Sequence, residues 1–159
     1  MTPTAAPPMN TLSVHRAVLA DLAALVPLFD SYRQFYGRAA DPASAEAFLR
    51  ARLEHGESVV FLAEDEGRPV GFTQLYPSFS SVSLARVFIL NDLFVVPGQR
   101  RVGVGSALLQ AAVDHARSLG AVRVSLNTDV LNTAAQATYE ARGWKRDREY
   151  YAYHFTALA

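Results

Sequence analysis

Residues 86–106 read RVFILNDLFVVPGQRRVGVGS: an apolar run, a Pro-Gly stop, then a loop with two glycines opening onto an Ala/Leu-rich stretch. The apolar run over 86–96 predicts a strand buried on both faces, ended by Pro97 and Gly98. Residues 103–119 predict a helix closed by Gly120. The loop between them, Gln99-Arg100-Arg101-Val102-Gly103-Val104-Gly105-Ser106, therefore sits at a helix start. The first N–H groups of a helix lack partners within it and lie at the positive end of the dipole, which suits an anion. Two glycines remove the Cβ atoms that would hold a phosphate off the backbone, and Arg100 and Arg101 add forked donors. A glycine-rich turn with structural duty alone is the competing explanation. A dinucleotide fingerprint would need a third glycine where Leu108 stands. A Walker loop would need a lysine, and the one lysine is Lys145.

Working outward, residues 1–11 (MTPTAAPPMNT) have the composition of a flexible tail. Leu12 and Val14, extending toward 16–18, give a short alternating strand. Residues 21–36 carry Leu22, Leu25, Leu28, Phe29, Tyr32 and Phe35 at helical spacing, with a kink or break expected at Pro27. Asp41 as N-cap, Pro42 at the first helical position and Gly56 past the end bound a second helix. Strands over 58–63 and 70–75 flank a turn at 64–69. Further on come a strand at 121–126, a helix at 132–142 ending at Gly143, and a last strand at 150–155. The order β-α-α-β-β-β-α-β-α-β predicts an α/β fold, α+β by some schemes, in one domain over 12–159.

The 159 residues fit one domain, and half are apolar, so a core forms without a metal or disulfide. No cysteine is present, which excludes thiolate zinc sites and a cysteine nucleophile and agrees with a reducing compartment. Fifteen basic and fifteen acidic residues cancel, so no overall field favours nucleic acid or an anionic membrane. Asp147 and Glu149 interrupt the run of Arg142, Lys145, Arg146 and Arg148, which reads as a solvated face. His15, His55, His115 and His154 lack metal-ligand spacing, and no metal is expected. No apolar run reaches membrane-spanning length and no signal peptide opens the chain, so the expected location is cytoplasmic.

The motifs together resemble the GCN5-related N-acetyltransferases. The resemblance rests on NDLFVVPGQRRVGVGSALL (91–109) and on NTAAQATYEARGW (132–144), an Asn-x-x-Ala followed by Tyr and a Gly-aromatic pair. It implies a mixed, mostly antiparallel central sheet flanked by about four helices. Residues 32–37 (YRQFYG) and 71–80 (GFTQLYPSFS) look like a branch that acetylates small molecules. By the same resemblance, residues 100–106 hold the pyrophosphate of acetyl-CoA, and Leu93, Phe94 and Val95 pair with its pantetheine arm. The Val95 amide then polarises the thioester carbonyl. Asn132 contacts the arm, and Ala135 leaves room for it.

Acetyl transfer to an amine needs the amine deprotonated, the carbonyl oxygen stabilised and the departing thiolate protonated. Tyr139 stands where the family places its general acid; its alternative is a half-buried tyrosine with a satisfied hydroxyl. Asp92 is a carboxylate in an apolar strand, a costly placement unless it is paired or working. It is a candidate base, and equally a structural acceptor. Asn91 stands where some relatives carry a carboxylate. Tyr32, Phe35, Tyr36, Gln74, Tyr76 and Ser78 are candidates for the wall of an amine site, where aromatic faces suit a cation. The acceptor is expected to be a small molecule such as an amino acid, polyamine or antibiotic. Two alternatives stand beside it: acetylation of a protein lysine or N-terminus, and a module that binds acetyl-CoA without turnover. The aromatic 150–155 segment has an apolar pattern that would support a homodimer through a sheet edge.

Overall fold

The computed structural model describes residues 11–99 and 103–158. The chain divides into two compact units at the Leu126–Asn127 junction. The first holds β1 (Leu12–Arg16), α1 (Leu22–Phe35), α2 (Pro42–Glu54), β2 (Val59–Asp65), β3 (Arg68–Ser80), β4 (Ala85–Val95), α3 (Val104–Ser118) and β5 (Arg123–Ser125). The second holds α4 (Thr133–Ala141). The sheet has five strands in the order β1-β2-β3-β4-β5. Its first three pairings are antiparallel, and β4 with β5 is parallel.

One face of the sheet is covered by α1 and α2. Leu22, Leu25, Leu28 and Phe29 of α1 meet Ala45 and Leu49 of α2 over Val60, Leu62, Phe72 and Phe94. Removing this apolar surface from water is the main term holding the layers together. The buried residues of α3, among them Val104, Leu108 and Ala112, recur at the spacing of one helical face. Gly71 lets the start of α3 approach the sheet. A Cβ there would lie 2.7 Å from the Phe94 carbonyl oxygen and 3.2 Å from Val104 Cγ1.

The capping signals of α2 act as read. Asp41 accepts from the Ser44 N–H at 3.0 Å, Pro42 opens the helix, and Gly56 takes φ +63° beyond its end. The β2–β3 turn is tighter than the six residues expected. Only Glu66 and Gly67 turn the chain, both at positive φ, and Asp65 already pairs with Arg68.

Five expectations need correction. Pro27 does not break α1, which runs through it. Pro27 and Ala23 are both exposed, so water can take the carbonyl the ring deprives, while buried Val26 and Leu28 hold the helix to the core. β3 continues past Leu75 to Ser80 despite Pro77. The β2 ladder ends at Val59 and Leu75, so Pro77 stands where β3 has become an edge on that side and no N–H is required. β4 is not buried throughout, since Arg86, Ile89 and Asn91 are exposed. Residues 150–155 form no strand, and Tyr150, Tyr151, Tyr153 and Phe155 are exposed. Aromatic composition favours a strand only where a partner supplies the other half of the ladder. Thr11, assigned to the tail, is tied to the hairpin: its hydroxyl donates to Asp65, and its carbonyl accepts from the Glu66 N–H.

Candidate active site

The centre of the first unit is a β-bulge. Gln74 pairs with Asp92 and Leu75 with Leu90, so Asn91 is an extra residue on β4 with no counterpart on β3. The pairing of β4 with β5 ends at Ile89 and Ser125, and β4 continues beyond it to Val95. The bulge turns the Asn91 carbonyl toward α1, where it accepts from the Tyr32 hydroxyl at 3.4 Å.

Asp92 lies beside the bulge and is 2% exposed. Its Oδ1 accepts from Asn91 Nδ2 at 2.8 Å and its Oδ2 from Gln74 Nε2 at 2.5 Å. The Tyr32 hydroxyl, bonded to the neighbouring Asn91 carbonyl, acts on the carboxylate electrostatically. Burial pushes the Asp92 carboxyl above the usual carboxylate range, and the bonds from Gln74 and Asn91, with Tyr32 nearby, pull the other way. Burial, then Asp92, hold the Tyr32 hydroxyl above the ordinary tyrosine value. Burial and Asp92 also push Tyr76 up to about 12, against the opposing charge of Arg52. The Tyr32 ring is held by aromatic neighbours: Tyr36 at 5.1 Å, Phe72 at 5.9 Å and Phe29 at 6.3 Å between centroids. The arrangement is a buried carboxyl group with tyrosine hydroxyls nearby, a grouping of the kind that can exchange a proton.

The α3 start carries the second feature. Gly103 is its N-cap at φ +84°, a conformation that favours glycine. Gly105 is different. Its φ is not positive, and among the described residues an added Cβ would meet only Val95 Cγ2, at 3.8 Å. Among the described residues, neither backbone nor packing requires a glycine at 105, and the bare Cα leaves space there beside the leading N–H groups of α3. A diphosphate fits such a cradle. Arg100, Arg101 and Val102 lie outside the described residues.

In the second unit, Asn132 caps α4, its Oδ1 accepting from the Ala135 N–H at 3.1 Å. Tyr139 sits in the last turn with its ring 6.1 Å from that of Trp144. Its carbonyl accepts from the N–H groups of Arg142 and Trp144, which close the helix at Gly143.

Comparison with known proteins gives these features their setting. A model described as Acetyltransferase (GNAT) family matches residues 25–144. The chain belongs to the GNAT acetyltransferase family. It is 49% identical over 142 residues to the uncharacterized N-acetyltransferase YhfO of Bacillus subtilis (strain 168), covering 89% of this chain and 95% of that one. A crystal structure of a probable acetyltransferase superposes with a TM-score of 0.87 at 45% identity, covering 92% of this chain and 99% of the other. A more distant relative, the aminoglycoside N(6')-acetyltransferase type 1 of Klebsiella aerogenes, is 30% identical over 99 residues, 61% of this chain and 65% of that one. The protein is thus an acetyltransferase enzyme with the GNAT fold.

In this GNAT enzyme the candidate wall residues separate. Tyr32 and Tyr76 are partly buried near Asp92, whereas Tyr36 and Phe35 are largely exposed at the end of α1. Gln74 is fully buried and meets Asp92, so it does not form an open wall. Phe94 packs its side chain into the core, leaving backbone for any ligand. Asn132 already spends its carboxamide oxygen on the cap. Sequence reasoning did not anticipate the bulge or the donors it gathers onto Asp92. The one available signal was the polar pair Asn91-Asp92 breaking an apolar strand.

Proposed function

We propose that this acetyltransferase moves the acetyl group of acetyl-CoA to the primary amine of a small molecule by direct attack. Acetyl-CoA supplies an activated acyl group. The leading turn of α3, with Gly103, Val104, Gly105 and Ser106 and the adjoining Arg100, Arg101 and Val102, would hold its diphosphate. The β4 segment Leu93, Phe94 and Val95, past the end of the β5 ladder, would align the arm, with Asn132 and Ala135 beside it. In this reading Asp92 takes the proton of the incoming ammonium, and Tyr139 returns one to the leaving sulfur. Tyr32, Tyr36, Tyr76 and Asn91 surround the amine end, with Gln74 behind them on Asp92. A cytoplasmic setting fits a chain without cysteine.

The observation that carries this reading is the buried carboxylate of Asp92 beneath Tyr32 and Tyr76. It offers a cation a partner and a proton acceptor together. The aminoglycoside-modifying relative supports a small-molecule acceptor. The test is CoA-thiol release on a panel of amino acids, polyamines and aminoglycosides, with lysine peptides in parallel. Release that depends on a small amine is expected, with Tyr139→Phe lowering turnover far more than acetyl-CoA affinity. Acetylation of the peptides alone would transfer the acceptor role to proteins. No release with any amine would leave a binding module.

A further inference from the structure

Among the described residues two acids are buried, and the proposed reaction uses one of them, Asp92. The other is Asp30 of α1, 6% exposed. Its Oδ1 accepts from Arg33 Nη1 at 3.2 Å and from the Asp41 backbone N–H at 3.0 Å, and its Oδ2 accepts from Gln34 Nε2 at 3.2 Å. Asp41 is the N-cap of α2, and its own carboxylate serves the Ser44 N–H. In a capping box the position of Ser44 would hold Glu or Gln, reaching back to the N–H of the cap. With serine there, Asp30 supplies that acceptor from the other helix. Burying a carboxylate is costly, and α1 and α2 already hold together through Leu25, Phe29, Ala45 and Leu49. What Asp30 adds is a fixed connection between them. It takes bonds from the last turn of α1 and from the cap of α2, and so fastens both ends of residues 36–40.

That connection opens with Tyr36. The N–H groups of Tyr36, Gly37 and Arg38 donate to the Arg33 and Gln34 carbonyls, and Gly37 turns the chain at φ +79°. The Tyr36 ring stands 5.1 Å from that of Tyr32 and edge-on to it, and the Tyr32 hydroxyl donates to the Asn91 carbonyl at the bulge. Tyr36 is 66% exposed, so burial does not set its place and the backbone on either side must. We infer that Asp30 is a positioning residue for the acceptor: by pinning residues 36–40 it keeps the Tyr36 ring against Tyr32, where aromatic faces meet the substrate ammonium. This rests on the reading that Tyr32 and Tyr36 surround the amine end. Asp30 acts through Tyr36 and touches neither substrate nor cofactor. Its charge is matched by that of Arg33 at 3.2 Å, so what reaches the amine is placement rather than field.

The experiment compares wild type with Asp30→Ala, Asp30→Asn, Tyr36→Leu and the double variant that joins Asp30→Ala to Tyr36→Leu. Circular dichroism and thermal melts check the fold, and titration calorimetry reads acetyl-CoA affinity. Turnover is measured with acetyl-CoA and spermidine, lysine methyl ester or kanamycin. The expected result for Asp30→Ala is an amine KM raised ~5-fold or more, the scale of one contact between a cation and an aromatic face, with kcat and acetyl-CoA affinity held. Tyr36→Leu should match it, and the double variant should add little to either single change, since both remove the same contact. Asp30→Asn should recover the wild-type KM, because its amide oxygen still accepts from the Asp41 N–H and a turned Gln34 accepts from its amide nitrogen. A purely structural Asp30 would lower Tm in Asp30→Ala and leave the amine KM unmoved, and that result would overturn the inference. So would an Asp30→Asn protein as impaired as Asp30→Ala, or a double variant in which the two effects multiply. Tyr36 is exposed, so Tyr36→Leu keeps its fold whatever becomes of Asp30→Ala, and a wild-type amine KM there would overturn the inference as well. Each of these results leaves acetyl transfer by the wild type standing. Wild-type protein that turns over none of the three amines would remove that reading and this inference together.

Discussion

Replacing Gly71 by alanine tests whether the fold delivers the α3 turn to its place by a single bare Cα. The added Cβ would stand 2.7 Å from the Phe94 carbonyl oxygen, 0.7 Å (3.4 − 2.7) inside ordinary contact. That oxygen is backbone of the paired strand β4 and cannot rotate away. Val104 Cγ1 and Leu108 Cδ1, at 3.2 and 3.3 Å, would have to retreat as well. Overpacking of this kind costs about 1–3 kcal/mol. In a domain of this size each kcal/mol lowers Tm by ~2–4 °C. The retreat moves the leading turn of α3, so acetyl-CoA affinity should weaken in the same variant. Differential scanning calorimetry and titration calorimetry with acetyl-CoA read the two effects. A Gly71→Ala protein with wild-type Tm and wild-type affinity would refute the close approach of helix and sheet.

Two further outcomes follow from other sites. Asp92→Asn should retain Tm at neutral pH or gain, because it removes the cost of ionising a buried carboxyl and a turned Gln74 can accept from the new amide through Oε1; activity should fall ~10²–10⁴-fold. The sign agrees with linkage. A carboxyl raised in the folded state contributes stability that is present below its unfolded value and lost as pH climbs through the folded one, so wild type should lose over that window what Asp92→Asn keeps. His115, packed between the rings of Phe61 and Phe88 with Nε2 buried, is held below its ordinary value by burial and then by Arg16. Its contribution is present above pH ~6.5 and lost as pH falls through the lower folded value, so thermal melts of His115→Leu should show a flatter acid side than wild type.

Elements with local punctuation were legible in the sequence. Asp41, Pro42 and Gly56 bound α2 as read, and the Pro-Gly stop and Gly120 frame β4 and α3. What local signals could not carry was set by pairing across the sheet. Pro77 is tolerated because β2 stops at Val59. The aromatic residues at 150–155 form no strand despite their propensity. The site follows the same division. Gly103 and Gly105 announced the α3 turn, and Asp92 stood out as a carboxylate among apolar neighbours. The bulge at Asn91 was invisible, because an extra residue exists only relative to its partner strand. With the bulge unseen, Gln74 read as a wall residue rather than a donor to Asp92.

The bare Cα of Gly105 gives the sharpest test of whether this helix start receives the diphosphate. Among the described residues, alanine at 105 meets only Val95 Cγ2, at 3.8 Å, and glycine to alanine within a helix gains about 0.5–1 kcal/mol. Titration calorimetry of Gly105→Ala with acetyl-CoA should therefore find a protein at least as stable as wild type that binds at least ~10-fold more weakly, a loss of about 1.4 kcal/mol. Unchanged affinity in a stable Gly105→Ala protein would mean that the diphosphate lies elsewhere.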